Sequence, residues 1–244
     1  MRTTRTFVDQ PLAVGAVVTL PEDATTHLLR VLRLGAGAPV RLFNGDGHDY
    51  EARIAGTAKR GAEVEITGRQ AVDVESPLRI TLAQGIARGE KMDLVLQKGT
   101  ELGVAGFVPV VTERTEVKLD AERAGKRLAH WQGVIAAACG QSGRARLPPL
   151  AAPVPLAQYA AAETAAVKLV LDPRGGRGVR ELDLPRGASI ALVAGPEGGL
   201  SERDLATLRA AGFTGLRLGP RILRTETAGL AALAALQAFH GDLG

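Results

Sequence analysis

A chain of 244 residues that is 45% hydrophobic can form one large domain, or a small domain beside a medium one. Only 3% of it is aromatic, so the core must be built from Ala, Val, Leu and Ile, which favours helices on a β-branched sheet over an aromatic-rich sandwich. A net charge of +4 allows a nucleic-acid partner without requiring one, while the single cysteine excludes an internal disulfide framework and a thiolate metal cluster.

At the amino terminus, MRTTRTFVDQP lacks the apolar stretch of a signal peptide, and no later run is long enough to span a bilayer. The expectation is a cytosolic protein with no membrane partner. From Val14 to Arg69 the apolar runs are short and separated by turns: AVVTL, PVRLF, YEARI and AEVEI, with Gly35, Gly37, the NGDG turn at Asn44 to Gly47, and Gly61 between them. Alternation in Ala62–Glu63–Val64–Glu65–Ile66 has the two-residue period of a half-buried strand. One helical segment, Glu22 to Leu34, interrupts these strands. Its periodicity turns Leu28, Leu29, Val31 and Leu32 inward and leaves His27, Arg30 and Arg33 outside. Residues 1–72 therefore predict a small β-rich, barrel-like domain.

Beyond a linker at Val72 to Pro77 the rhythm changes, and residues 73–244 predict a second domain. LRITLAQ (Leu78 to Gln84) predicts a buried strand, KMDLVLQKGTELG (Lys91 to Gly103) a helix closed by glycine, and GFVPVV (Gly106 to Val111) another strand. A long helix follows from Asp120 to Cys139, with Cys139 read as a small buried residue. AVKLVL (Ala166 to Leu171) and SIALVA (Ser189 to Ala194) are continuous apolar runs, the pattern of strands covered on both faces. Ser201 to Gly212 is a helix with Ser201 as its cap and Asp204 at the capping-box spacing. GLRLG is strand-like, and Thr225 to Phe239 forms a last helix. Alternating strands and helices predict an α/β domain on a parallel sheet. The last helix, TAGLAALAALQAF, is apolar on nearly every face, so it lies deep in the core or meets another subunit.

Three loops follow strands of this second domain: LDPRGGRG (Leu171 to Gly178), AGPEGGLS (Ala194 to Ser201) and LGPRILRTET (Leu218 to Thr227). In an open parallel sheet, ligands collect beyond the carboxyl ends of the strands, so the three loops converge on one site. AGPEGGLS lacks the GK[ST] ending of a phosphate loop, presents acidic Glu197 instead, and fails the GxGxxG spacing. The four histidines stand apart at 27, 48, 130 and 240, so no bound metal is expected. No serine sits in a GxSxG elbow. A ligand held by main-chain amides beside an acidic or hydroxyl group fits these loops better than a polyphosphate. S-adenosyl-L-methionine, with its adenine, ribose diol and sulfonium, has that character.

LVAGPEGGLSERDL, followed after a strand by LRLGPRILRTETAGLAALAALQ, resembles the carboxyl-terminal signature of the SPOUT methyltransferases. Within them it resembles the RsmE family, which methylates N3 of a uridine in 16S ribosomal RNA. HLLRVLRLGAG, RGEKMDLVLQKGTELGV, ERTEVKLD, WQGVIAAACGQSGR and the terminal GDLG are similar to the same family in the same order, so the resemblance covers nearly the whole chain. One departure stands just before GDLG, where relatives often carry an Arg and this chain has Ala238, Phe239 and His240.

The resemblance implies a PUA-like RNA-binding β-barrel followed by a trefoil-knotted α/β domain whose last helix threads behind a loop. Composition alone would not suggest this, since knots are almost absent from proteins. It also implies a homodimer through the knot domain and a 16S rRNA substrate within the small ribosomal subunit. The methyl donor would be held near Leu171, Gly195, Pro196, Glu197, Gly198, Leu218, Gly219, Ile222, Leu223, Thr225 and Thr227. Methyl transfer is a displacement that needs alignment rather than a covalent nucleophile, but uridine N3 must lose its proton. Arg224 could stabilise the developing negative charge, or clamp a phosphate, or pair with Glu197 or Glu226. Glu226 could act as a base or as a structural partner in the first helical turn. Candidate RNA contacts are Arg2, Arg5, His27, Arg30, Arg33, Arg88, Gln141 and Arg144, chosen because phosphate binding requires grouped charge. Two other readings remain: a SPOUT enzyme acting on another RNA nucleotide, and a non-catalytic ribosome-assembly protein.

Overall fold

The computed structural model describes residues 4–58, 61–117, 121–185 and 187–244, so Arg2 lies outside the described residues. The chain divides into two compact units, Met1–Glu75 with Ala136–Leu147, and Ser76–Ile135 with Pro148–Gly244.

In the first unit, β1 (Arg5–Phe7), β2 (Val17–Thr19), β3 (Pro39–Phe43), β4 (His48–Ala58) and β5 (Gly61–Ala71) form a sheet in the order β1-β3-β4-β5-β2. Only the β1–β3 pairing is parallel. The expected alternation is present: Ala62, Val64 and Ile66 are buried and pack with Tyr50, Ala52 and Ile54 of β4. The NGDG turn before β4 is built by its own acids and amides. Asn44 accepts from the Asp46 N–H at 3.3 Å, and Asp46 accepts from the His48 N–H at 2.9 Å and the Tyr50 hydroxyl at 2.6 Å.

The helical segment after β2 departs from the expected pattern. It is α1 (Glu22–Thr26) continued by a π-helical turn, His27–Val31, closed by the Leu32 N–H donating to the His27 carbonyl at 3.0 Å. A five-residue closure shifts the facing of every later side chain. Leu28 is buried and Leu29 packs on the core, but Val31 is 64% exposed and Leu32 38%. The expected inward positions of Val31 and Leu32 are therefore corrected.

The second unit carries six parallel strands: β6 (Arg79–Gly85), β7 (Gly106–Val111), β8 (Val154–Pro155), β9 (Val167–Leu171), β10 (Ser189–Ala194) and β11 (Thr214–Leu216), in the order β11-β9-β10-β6-β7-β8. The helices are α2 (Glu90–Glu101), α3 (Ala121–Ser142), α4 (Leu156–Ala162), α5 (Glu202–Ala210) and α6 (Thr225–His240). β6 and β10 lie at the centre and are paired from Ser189 with Arg79 through Ala194 with Gln84. Their apolar residues serve both faces. Ala83, Ala191 and Val193 join the core formed with Leu156 and Tyr159 of α4 and Leu205 and Leu208 of α5. On the other side α6 lies against α2, β6 and β10, burying Ala232, Leu233 and Leu236. Its remaining face is only half-covered at Leu230, Ala231 and Ala234, so the nearly all-apolar helix is buried along one stripe.

The carboxyl-terminal part of α3, from Ala136, groups with the first unit although the helix begins in the second. Cys139 is buried there, and burial pushes its thiol pKa up to about 11. Shortly before GDLG, Phe239 receives the Arg180 guanidinium 5.1 Å over its ring.

Candidate active site

β9, β10 and β11 are neighbours or near-neighbours in a parallel sheet, so the loops leaving them emerge at one edge. A cavity of about 420 Å³ opens there, within the range of small-molecule sites. All three loops line it.

From the loop after β9, Leu171, Asp172 and Arg174 reach the wall. Asp172 is 4% exposed and accepts from the Arg174 N–H at 2.9 Å and from Arg209 Nη2 at 3.2 Å, which fixes the loop against α5. From the loop after β10 come Gly195, Pro196 and Glu197. That loop leads straight into α5, where Ser201 and Asp204 form a reciprocal capping box at 3.0 Å in each direction. Ser201 also donates its hydroxyl to Glu113 Oε2 at 2.5 Å. The third loop contributes Leu218, Gly219, Ile222, Leu223 and Arg224, with Thr225 from the first turn of α6. Ile222 is 84% exposed even though it borders the cavity.

Glu197 ties two loops together. Its Oε1 accepts from the Arg88 N–H at 3.0 Å and from Lys91 Nζ at 3.2 Å, joining the loop after β10 to the start of α2. Partial burial pulls its pKa upward, but hydrogen bonds from the Arg88 N–H, its own N–H and Lys91 outweigh that. The carboxyl sits below the usual glutamate value.

Arg224 is exposed at the cavity wall, and among the described residues no ion pair ties it to Glu197 or Glu226. Two expected residues stand elsewhere. Gly198 is outside the lining, its carbonyl accepting from Arg114 Nη1 at 3.0 Å. Thr227 faces a different, apolar recess between α2 and α6 with Leu94, Leu102 and Leu230. Glu226 borders the same recess, and its Oε2 is buried without a partner among the described residues.

The candidate RNA contacts fall into two groups. His27, Arg30, Arg33, Arg88 and Gln141 are exposed, with Arg88 paired to Glu116. Arg5 and Arg144 are internal. Arg5 donates to Asp49 at 2.6 Å and to the Cys139 carbonyl at 2.8 Å, with 11% of its side chain exposed. Arg144, 5% exposed in its side chain, pairs with Glu75 at 2.5 Å. Their guanidinium groups are used inside the first unit and are unavailable to a phosphate.

Sequence reading missed Asp172, Arg174, Leu205 and Leu216 of the lining, as well as Gln84 behind it. For Asp172 and Arg174 the signal was in the quoted LDPRGG loop. For Gln84 it was a polar residue ending an otherwise apolar strand.

The chain matches the RNA methyltransferase domain family over residues 74–237 and the RNA methyltransferase PUA domain family over residues 20–67. It is 31% identical to Ribosomal RNA small subunit methyltransferase E of Bacillus subtilis, over 93% of this chain and 92% of the relative. It is 30% identical to the protein of that name from Buchnera aphidicola, over 99% and 98%. Among solved structures, Ribosomal RNA small subunit methyltransferase E from Neisseria gonorrhoeae, bound to S-adenosyl methionine, is 39% identical with a TM-score of 0.91 over 100% of both chains. A Legionella pneumophila methyltransferase in complex with the same cofactor is 40% identical with a TM-score of 0.95, also over 100% of both.

A parallel α/β unit with three strand-end loops around one cavity, preceded by a PUA domain, defines the RNA methyltransferase class. Within that class, the full-length likeness is specific. The chain belongs to the ribosomal RNA small subunit methyltransferase E family.

Proposed function

We propose that this protein uses S-adenosyl-L-methionine to methylate N3 of a uridine in 16S rRNA of the small ribosomal subunit, in the cytoplasm. The observation that carries the reading is the single cavity walled by the loops after β9, β10 and β11, with Arg224 on its rim. The cavity suits that donor. Leu171, Leu205, Leu216, Leu218 and Leu223 offer an apolar slot for an adenine ring, and exposed main chain at Gly219 borders the cavity for polar groups. Two relatives of nearly equal length hold the same cofactor. When bound, it supplies an electrophilic methyl group on a sulfonium.

The chain's own residues then have three tasks. Gly195, Leu218, Ile222 and Leu223 orient the donor so that displacement is effectively unimolecular. Arg224 presents a cation where negative charge develops on the uracil imide as N3 loses its proton. Glu226 has a weaker claim as the proton acceptor, because it borders the α2–α6 recess rather than the cavity. The PUA-like barrel, through exposed His27, Arg30 and Arg33, supplies grouped positive charge for the RNA backbone, with Arg88 and Gln141 on later elements. Because N3 lies on the Watson–Crick edge, the base is taken unpaired or flipped.

The reading includes a trefoil knot in which α6 passes behind the loop after β10. It is supported by Thr225, at the start of α6, donating to the Gly195 carbonyl at 2.6 Å. It also includes a homodimer through the half-covered apolar face of α2 and α6. The test is to incubate small subunits lacking the modification with labelled donor and identify the labelled nucleoside. N3-methyluridine is expected; label on a ribose or a guanine would overturn the assignment, and absence of donor binding by calorimetry would overturn the enzyme reading.

A further inference from the structure

Gln84 is a buried polar residue at the centre of a parallel sheet. It ends the apolar run of β6, pairs with Ala194 in the neighbouring strand, and is 0% exposed. Its amide nitrogen lies within hydrogen-bond distance of three oxygens: the Gly85 carbonyl at 3.0 Å, the Gly195 carbonyl at 3.1 Å and Thr225 Oγ1 at 3.1 Å. Thr225 in turn donates its one hydroxyl hydrogen to the Gly195 carbonyl at 2.6 Å. Gln84 has two amide hydrogens for these three acceptors and shares them, while Gly195 O also takes the Thr225 hydroxyl hydrogen. The Gly195 carbonyl is thus approached by both side chains and held in place. The Thr225 hydroxyl is likewise committed inward.

The surrounding chain is shaped to bring these groups together. A Cβ on Gly85 would lie 2.5 Å from both N and Cδ of Pro196, so the loops after β6 and β10 touch at backbone distance. A Cβ on Gly229 would lie 3.3 Å from Gln84 Oε1, a tight contact, so glycine at this position eases the close approach of α6 to the amide. The arrangement also carries a penalty. Gln84 Oε1 has no partner among the described residues, and a buried unsatisfied oxygen destabilises the fold. Leucine or methionine would pack there without that loss. The amide is explained by what its nitrogen holds.

We infer that Gln84 is a positioning residue for the donor cavity. Through Gly195 and Thr225, which both line that cavity, it locks the loop after β10 to the first turn of α6. Thr225 acts with it as part of the same lock rather than as a direct ligand. The inference rests on the reading of this cavity as the S-adenosylmethionine site.

Calorimetry with S-adenosylmethionine on the full chain tests it, beside thermal unfolding and steady-state kinetics. Gln84→Met keeps the volume and removes the amide. The expected result is a dissociation constant raised about tenfold or more, with donor KM rising more than kcat falls, because a shift of one wall by part of an ångström misaligns the whole cradle. The melting point should be unchanged or higher. Thr225→Val should weaken donor binding similarly, and Thr225→Ser should restore it. The double variant Gln84→Met/Thr225→Val should be little weaker than the weaker single, because both changes release the same carbonyl. Parent-like affinity in a folded Gln84→Met protein would overturn the inference. If that variant fails to fold, the threonine pair decides: parent-like binding by Thr225→Val overturns it, while loss in Val and rescue in Ser sustain it. No binding by the unsubstituted protein would strike the cavity reading instead.

Discussion

Arg224 and Arg5 show how differently one residue type is used in this chain. Arg224 immediately precedes the first turn of α6, and its carbonyl accepts from the Thr227 and Ala228 N–H groups at 2.9 and 2.8 Å while its side chain stays exposed at the cavity wall. Its backbone role survives truncation of the side chain. Arg224→Ala is therefore expected to lower kcat by roughly 10²–10³-fold, the usual loss for one charge-stabilising donor, with donor affinity nearly unchanged. Single-turnover transfer and calorimetry on the same sample check both halves; loss of both would make Arg224 structural. Arg5, by contrast, is bound to Asp49 and to main-chain carbonyls of α3 inside the first unit. Arg5→Ala leaves the buried Asp49 with the more distant Arg41, 3.5 Å away, as its remaining ion-pair partner, which should destabilise the protein by about 2 kcal/mol. Urea unfolding measures this, and RNA affinity of the folded protein should hold. The two arginines cannot be told apart by residue type or by charge clustering, because burial depends on which distant segment arrives beside them.

Single elements show the same dependence. The capping box at Ser201 and Asp204 was legible because its spacing is local, and the structure places both reciprocal bonds where the sequence puts them. The π-helical turn at His27–Val31 was not legible, since a five-residue closure leaves no composition signal and the helical period assigns Val31 and Leu32 to the wrong side. The link between loops made by Glu197, Lys91 and the Arg88 N–H is a contact between elements far apart in the chain. Because the Glu197 pKa is depressed, its hold is complete above the ordinary glutamate value and is lost as pH falls through the lower, folded-state value. Donor affinity should therefore weaken in acid, and Glu197→Gln should remove that pH-dependent part. At neutral pH the same variant should cost about 1 kcal/mol or less, since the ion pair is near the surface. Calorimetry across pH on parent and variant decides it; an identical acid profile would reject the role of Glu197.

At the scale of the whole molecule, α2 and α6 together present an apolar face. Leu94 is 40% exposed, and Leu230, Ala231 and Ala234 are half-covered beside it, an apolar face unusual for a surface. The proposed dimer should sediment at twice the 25.4 kDa chain mass. Leu230→Glu should shift it to the monomer with circular dichroism unchanged, and a parent protein that sediments as a monomer would reject the interface. Among the described residues no helix is long and apolar enough to cross a membrane.

By itself the sequence determined the two kinds of architecture, the parallel sheet and the convergence of its three loops. Each of these rests on period, turn chemistry or chain order, which are properties of neighbours in sequence. The opening of LGPRILRTETA could be read as a ligand loop for the same reason, and Leu218, Ile222, Leu223 and Arg224 do line the cavity. Only the tertiary structure decided which polar groups remain free to act. It closed Arg5, Arg144 and the Thr225 hydroxyl inside the fold, set Glu226 and Thr227 in a separate recess, and placed Gln84 behind the site. A polar side chain's availability is settled by partners that come from other parts of the chain, and spacing along a sequence does not carry that information.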